Sequence, residues 1–593
     1  MATKEMPLDS KVEKAESYPD TKRRTSVGGS DLHNISNRED DFRTRNGLNL
    51  RSFTRRPEGA AGLSELDRSM KGRHLNMIAI GGSIGAGFFV GSGSALTTGG
   101  PASLLICFLI IGVMIFNVVY ALGELAVMYP VSGGFYTYSI RFIDPSWGFA
   151  MGWNYVSPRT SRMLARFAHI MQVLQWVIVL PLELTVVSFT VQYWNKDISV
   201  AVWITIFWVF IIFVNVFGTL GYAEEEFWAS SFKLIATVIF MIVAIVLICG
   251  GGPASGKYGE YWGARLWYDP GAFQNGFKGF CGVFVTAAFA FSGTELVGLA
   301  AAEAANPSKA LPSAIKQVFW RITLFYILGL TFVGLLVSST DERLLNADNP
   351  YADGTSPFVL APLDAGLIGY DSFMNVVILV SVVSIGVSCV YGGSRTLTAL
   401  AQQGYAPRFF AYIDRSGRPL WSVNLCLAFG ALAYVTLASS GSIVFDWLLA
   451  LSGLAALFTW GSILLAHIRF RQAWKAQGRT LDEIPFKALF GVTGSWIGLV
   501  LVFIALIAQF FVAIAPPGGG LNDAEGFFKS YLALPVVIVF WIGGYAWKRQ
   551  GWVKIDQIDL DSGRREHDWE SINAYRAKFA TYPAWKRALC AIF

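Results

Sequence analysis

The chain has 593 residues, of which 54% are hydrophobic, 15% aromatic and 15% charged, with a formal net charge of +6 and a mean hydropathy of +0.47. Soluble domains carry about a quarter charged residues, so this composition excludes an ordinary soluble enzyme and requires lipid around much of the surface. The Lys and Arg residues collect in linkers and tails, which argues against a nucleic-acid-binding face and instead reports orientation in a membrane. The six cysteines form no C-x-x-C pair, so neither metal nor thiol chemistry is indicated and no cofactor is expected.

Residues 1–73 are polar and mixed in charge, with Lys22-Arg23-Arg24 and Glu39-Asp40-Asp41. Too little apolar surface is present to offset the entropy of ordering, and a disordered cytoplasmic tail is expected. No apolar stretch follows Met1, so no cleavable signal is expected.

A membrane domain is expected over 74–547, all-α and polytopic, with twelve candidate spans. They lie near 75–96, 102–126, 148–191, 198–218, 227–250, 279–301, 316–337, 372–400, 422–438, 443–467, 494–514 and 530–547. A helix needs about 20 residues to cross the hydrocarbon core. An even number puts both tails on one side. Arg408, Arg415 and Arg418 follow span 8, and Arg471, Lys475, Arg479 and Lys487 follow span 10, whereas the linker Ser338–Asp371 is acidic with one Arg. The positive-inside rule then places both termini in the cytoplasm, although Lys257 and Arg265 run against it. The tail 548–593 is expected to lie against the inner leaflet. Its last four residues, Cys590-Ala591-Ile592-Phe593, match a prenylation box that a twelve-span protein does not need, and the match reads as chance.

The first span contains Gly81-Gly82-Ser83-Ile84-Gly85-Ala86-Gly87. Gly costs about 1 kcal/mol against Ala inside a helix. One reading is close helix packing through small residues. The other is unwinding within Gly81–Gly87, which frees backbone N–H groups for an anion such as a carboxylate. Free backbone groups are tolerated at membrane depth only where protein or a watery cavity meets them. The sixth span carries a similar interruption, Phe289-Ala290-Phe291-Ser292-Gly293-Thr294-Glu295. Carbonyls released by a break at Ala290–Ser292 could accept from an ammonium, and the ring of Phe289 or Phe291 could cap the site. Interruptions in corresponding spans, 1 and 6, fit a five-plus-five inverted repeat.

Lys233 lies in the fifth span. It either snorkels to the surface or is buried, where it could gain and lose a proton and couple transport to protons. Ser384 and Ser388 fall on one face of span 8 and could stand near Lys233. Glu295 is an intramembrane carboxylate, which by default is a functional hypothesis. Glu124, at the cytoplasmic end of span 2, reads as structural or gating, and Glu183 is open between roles.

The words Gly81–Gly87, Gly100-Pro101 through Gly123-Glu124, Phe291–Gly298, Lys316–Ile322, Asp446–Gly453 and His467–Arg471 together resemble the fungal amino-acid permeases of the amino acid–polyamine–organocation superfamily, most closely the general amino-acid permeases. The resemblance implies a LeuT-type fold with discontinuous helices 1 and 6, plasma-membrane location, and uptake of amino acids with protons. It implies that Ser83–Gly87 bind the substrate carboxylate, that Phe289–Phe291 bind its amino group, and that Lys233 and Glu295 serve coupling or gating. It also implies ubiquitin-ligase machinery acting on the N-terminal tail, where Lys4, Lys11, Lys14 and Lys22 are available. A non-transporting amino-acid receptor and a polyamine carrier are the alternatives on the same fold. The sequence departs from the family at Val156–Gln172, seventeen residues carrying Pro158, Arg159, Arg162, Arg166 and His169. Val-Ser can be encoded as a splice donor and Gln as an acceptor, so a retained in-frame intron is expected there, the alternative being a genuine extra segment that forms a basic loop or lengthened helix.

Overall fold

A computed structural model describes residues 42–57, 66, 68–131, 133–147, 171–345, 356–403, 406–438, 441–549 and 551–587. Backbone N–H and C=O groups have no water to meet in lipid, which leaves helices as the open-chain way to cross it. The described residues form helices and contain no strand; two isolated bridges, Arg55 with Asp414 and Met70 with Ala304, are the β-type pairings among them.

The helices that position the site run, in chain order, α1 (Gly72–Gly81), α2 (Ala86–Phe89), α3 (Gly91–Met128), α4 (Gly134–Phe142), α5 (Met171–Gln192), α6 (Val200–Val216) and α7 (Gly218–Ile248). There follow α8 (Gly276–Phe291), α9 (Leu296–Ala300), α10 (Pro307–Trp320), a π-helical stretch Arg321–Gly329, α11 (Leu330–Leu336), α12 (Pro357–Asp364) and α13 (Tyr370–Gln402). The last are α14 (Leu420–Phe429), α15 (Gly441–Ala476), α16 (Gly491–Ile514), α17 (Ala524–Tyr531), α18 (Ala533–Lys548) and α19 (Trp569–Ala580).

Eight helical segments among the described residues are long and apolar enough to cross a membrane, and Trp176–Gln192, Val200–Val216 and Ala533–Gly543 are apolar but shorter. The first expected span is not one helix. It breaks after Gly81 and resumes at Ala86. Val90 stays right-handed (φ −102°, ψ −48°), so the second half continues into α3, which bends at Gly100 (φ 80°) before Pro101. A Cβ on Gly100 would lie 2.7 Å from the Ala272 carbonyl oxygen, so the bend there needs glycine for both its backbone angle and its packing. Apolar side chains on the outer face of α6, such as Val209 and Phe213, are 56% and 59% exposed, as expected of a surface that meets lipid. The retained-intron expectation at 156–172 concerns residues of which only Met171 and Gln172 are described, and those as helix alone.

Both tails depart from expectation. Within the tail expected to be disordered, residues 42–57 fold back onto the linker between α13 and α14. Arg56 N–H donates to the Ile413 carbonyl at 2.9 Å, Ser416 Oγ to the Thr44 carbonyl at 2.7 Å, and Arg418 Nη2 to Ser52 Oγ at 3.0 Å. Polar groups of the linker, not apolar burial, hold this segment, which composition could not reveal. Lys4, Lys11, Lys14 and Lys22 lie outside the described residues, as does Cys590.

The C-terminal tail packs on protein rather than only on lipid. Tyr129 donates to the Leu560 carbonyl and Gln477 to the Ile558 carbonyl, both at 2.8 Å. Arg479 pairs with Asp561 at 2.7 Å and holds its carboxyl below the ordinary range. Ile558 and Leu560, 2% and 1% exposed, join the core of the bundle. Leu560→Ala is therefore expected to cost about 2–5 kcal/mol, measured as a lower thermal midpoint of the purified chain. An unchanged midpoint would mean that the tail is not anchored there.

Candidate functional site

The interruption in the first span begins where Gly82 still donates to the Ile78 carbonyl at 3.0 Å and ends at Gly85 (φ −146°, ψ −146°). Ile84 N–H is already used by the Gly81 carbonyl at 3.0 Å, so Ile84 leaves the expected anion-binding set. No described hydrogen bond takes the N–H groups of Ser83, Gly85, Ala86 or Gly87. The first N–H groups of a helix have no intrahelical acceptor, and the helix dipole adds partial positive charge there.

The sixth span breaks at Ser292 (φ −58°, ψ 143°) and Gly293 (φ 93°) and resumes at α9. The expected carbonyls are partly occupied. Phe289 O accepts from Ser292 N–H at 3.1 Å, Phe291 O from Thr294 Oγ1 at 2.6 Å, and Ala290 O from the Tyr326 hydroxyl at 2.6 Å. Of the two rings, Phe289 lines the cavity described below, whereas Phe291 stacks on Tyr326 with centroids 4.0 Å apart.

The π-helical stretch after α10 clamps the two breaks together. Arg321 donates to the Ala79 carbonyl and to Thr294 Oγ1, each at 2.7 Å, and Tyr326 also reaches the Ser83 carbonyl at 3.2 Å. π-Helical turns recur at functional sites. Sequence reasoning quoted Arg321 within a family word but gave it no role. Its signal was a charge in an apolar span, the same signal that marked Lys233. Tyr326→Phe removes the donor shared by both breaks and is expected to raise the half-saturating amino-acid concentration in uptake by about tenfold, from loss of a net 0.5–1.5 kcal/mol per bond; unaltered saturation would detach Tyr326 from the site.

Between the breaks lies a small cavity of about 20 Å³, room for about one water, whose walls include Ser83, Gly85, Ala86 and Gly87 on one side and Phe289, Ser292 and Gly293 on the other. The third and fourth walls come from α5 through Glu183 and from α13 through Ser388. Glu183 is 2% exposed and its Oε2 has no hydrogen-bond partner among the described residues. A buried polar atom left without a partner is costly.

Ser388 leads out of the cavity into a buried ionic cluster. It donates to Glu226 Oε2 at 3.2 Å, and Ser384 donates to the same oxygen at 2.6 Å. Lys233 Nζ stands 3.4 Å from Glu226 Oε1 and 3.2 Å from Ser384 Oγ, and both charged side chains are fully buried. Lys233 therefore does not snorkel. The three residues Lys233, Ser384 and Ser388 come together around Glu226, which sequence reasoning left out. Two other expected coupling residues stand elsewhere. Glu295 does not line the cavity; its Oε2 accepts from Trp460 Nε1 at 3.2 Å. Glu124 accepts from Arg471 Nη2 at 2.8 Å and Ala488 N–H at 2.7 Å, tying α3 to α15 and the α15–α16 linker. That geometry is a structural tie, one of the two roles, structural or gating, left open for Glu124 by the sequence.

At the end where α1, α7 and α10 begin, a second buried cluster closes the bundle. Arg395 pairs with Glu303 at 2.9 Å and donates to Thr219 Oγ1 at 2.9 Å, while Thr219 donates to Glu303 Oε2 at 2.5 Å. The Arg395 guanidinium lies 4.2 Å from the Tyr391 ring centre, and Tyr391 stacks on Tyr222 at 4.1 Å.

Comparisons agree with this architecture. The family model described as "Amino acid permease" matches residues 74–557. The chain is 65% identical over 555 residues to amino-acid permease inda1 of Hypocrea atroviridis, covering 93% of this chain and 94% of that one. It is 49% identical to general amino-acid permease GAP1 of Saccharomyces cerevisiae, covering 88% and 85%, and 50% identical to general amino-acid permease GAP2 of Candida albicans, covering 88% and 86%. A bundle of apolar helices with an interrupted pair at its centre, matched along nearly its whole membrane domain by these relatives, is no enzyme: the chain belongs to the amino acid permease family, as a multi-pass membrane transport protein.

Proposed function

We propose that the chain is a plasma-membrane symporter that takes up a broad range of L-amino acids with protons by alternating access, through a twelve-span, five-plus-five inverted repeat. The observation that carries this reading is the cavity between the two breaks, with unclaimed N–H groups of Ser83, Gly85, Ala86 and Gly87 on one wall. The substrate carboxylate binds those N–H groups, which supply charge complementarity without a cationic side chain. Its ammonium meets Glu183 and the remaining lone pairs of the second break. Recognition uses only the atoms that every α-amino acid has, which supports a broad substrate range, as do relatives whose names include general amino-acid permeases.

Proton coupling belongs to the Glu226–Lys233 pair, which reaches the cavity through Ser388. A change of proton occupancy there alters the hydrogen bonds offered to the cavity wall. A ligand shifts an equilibrium only by its differential affinity for the two states. Opening toward the cytoplasm requires the Arg395–Glu303–Thr219 cluster to part, because it joins α13, α7 and the segment before α10. Uptake of a labelled amino acid into permease-deficient cells tests the reading. Faster uptake in acid, collapsed by a protonophore and competed by many amino acids, is expected. Uptake indifferent to the proton gradient would remove the symport.

A further inference from the structure

Arg321 is a fully buried cation that the proton pathway above does not use. It opens the π-helical stretch between α10 and α11. Lys233 and Arg395, buried in the same bundle, have the carboxylates of Glu226 and Glu303 within 4 Å. Among the described ion pairs Arg321 has none, and Glu295 acts on it only from beyond that distance. A buried charge without compensation is costly, so something else in the bundle must balance it.

Main chain does so. Nη1 donates to the carbonyl of Ala79, in the last turn of α1, at 2.7 Å. Nη2 donates to Thr294 Oγ1 at 2.7 Å, and Thr294 Oγ1 passes its own proton at 2.6 Å to the carbonyl of Phe291, the last residue of α8. The carbonyl ends of both interrupted helices therefore converge on one guanidinium. A helix C-terminus carries about −0.5 of an elementary charge, so the two together balance about one cation. Carbonyl ends of half-helices are where transporters with interrupted helices hold a coupling cation. Here that place is taken by a side chain that cannot leave and that, unlike a lysine, does not readily discharge.

We propose that Arg321 is a tethered counter-cation, a positioning residue whose guanidinium fills a monovalent-cation site between the carbonyl ends of α1 and α8. It holds the two breaks at the separation that amino-acid binding needs, and binding consequently requires no alkali cation. This role rests on the transport reading, because it serves the same substrate site.

The test uses the full purified chain in detergent. Amino-acid binding to the unaltered chain is expected to be equal in sodium, potassium and N-methylglucamine, the last being too large for the site. A requirement for either alkali ion would overturn the proposal. Arg321→Ala is expected to bind amino acid about tenfold more weakly in N-methylglucamine, since two charge-assisted hydrogen bonds are lost, and low-millimolar guanidinium should restore most of the loss. Arg321→Met, which fills the space, is expected to be as weak and to gain nothing from guanidinium. Recovery in both variants, or in neither, would overturn the proposal. Thermal midpoints taken without amino acid separate this outcome from that of the transport reading. Guanidinium should raise the midpoint of Arg321→Ala alone, because a ligand that binds only the folded state raises stability. A chain that shows this rise but binds no amino acid loses the transport reading and keeps the cation site, whereas one that binds amino acid without the rise loses the cation site. If Arg321→Ala does not fold, the alkali-ion series on the unaltered chain decides alone.

Discussion

Gly87→Ala is expected to lower amino-acid uptake about 5- to 150-fold while leaving the chain folded. A Cβ at Gly87 would lie 2.6 Å from Ala290 Cα and 2.9 Å from its backbone nitrogen. Both are main-chain atoms and cannot swing away as the end of a side chain could. The two breaks must therefore separate where Gly87 meets Ala290, backbone against backbone. Overpacking of this kind costs about 1–3 kcal/mol, and each 1.4 kcal/mol is about tenfold in binding. That cost is below the usual 5–15 kcal/mol stability of a folded chain, so surface expression should persist. Uptake at saturating and subsaturating amino acid, with expression measured in parallel, separates the outcomes. Wild-type uptake by Gly87→Ala would mean that the breaks need not touch.

Glu226→Gln is expected to abolish proton-driven uptake and to destabilise the chain. Glu226 is the one carboxylate within 4 Å of Lys233 Nζ among the described ion pairs. Removing one member of a buried pair leaves an uncompensated charge and costs about 3–5 kcal/mol. In the variant Lys233 keeps no carboxylate partner, and the pair that coupling requires is gone. The residual uptake should then be flat with pH. Replacing both partners, Glu226→Gln with Lys233→Met, is expected to recover much of the lost stability, because neighbours that share an interaction are non-additive. It should not recover transport. A double variant that transports in response to a proton gradient would remove the pair from the mechanism.

The broken helices were legible because glycine at membrane depth has few explanations, and two such stretches in corresponding spans narrow them further. Which backbone atoms remain free was not legible. Ile84 N–H and the Ala290 carbonyl look identical to their neighbours in sequence, and only the fold decides that Gly81 and Tyr326 occupy them. Glu226 was missed for a different reason. The fifth span was expected to begin at 227, which left Glu226 just outside it, whereas α7 begins at Gly218 and carries Glu226 inside the bundle. Seven residues separate Glu226 from Lys233, two turns along one face, so the longer helix would have paired them. The contacts that residues 42–57 and 551–561 make with the bundle were not legible, because several of the groups that hold them, such as Arg418 and Gln477, are single polar side chains scattered through distant linkers.

The central claim is that main-chain dipoles at two opposed helix breaks hold a zwitterion. Competition against a labelled amino acid in permease-deficient cells, using the same amino acid free, as its methyl ester, and as its N-acetyl derivative, tests it most directly. Only the free amino acid should compete strongly, since the ester has no carboxylate for the N–H groups of Ser83, Gly85, Ala86 and Gly87 and the N-acetyl form has no ammonium for the opposite wall. Equal competition by the ester or the N-acetyl derivative would contradict the account.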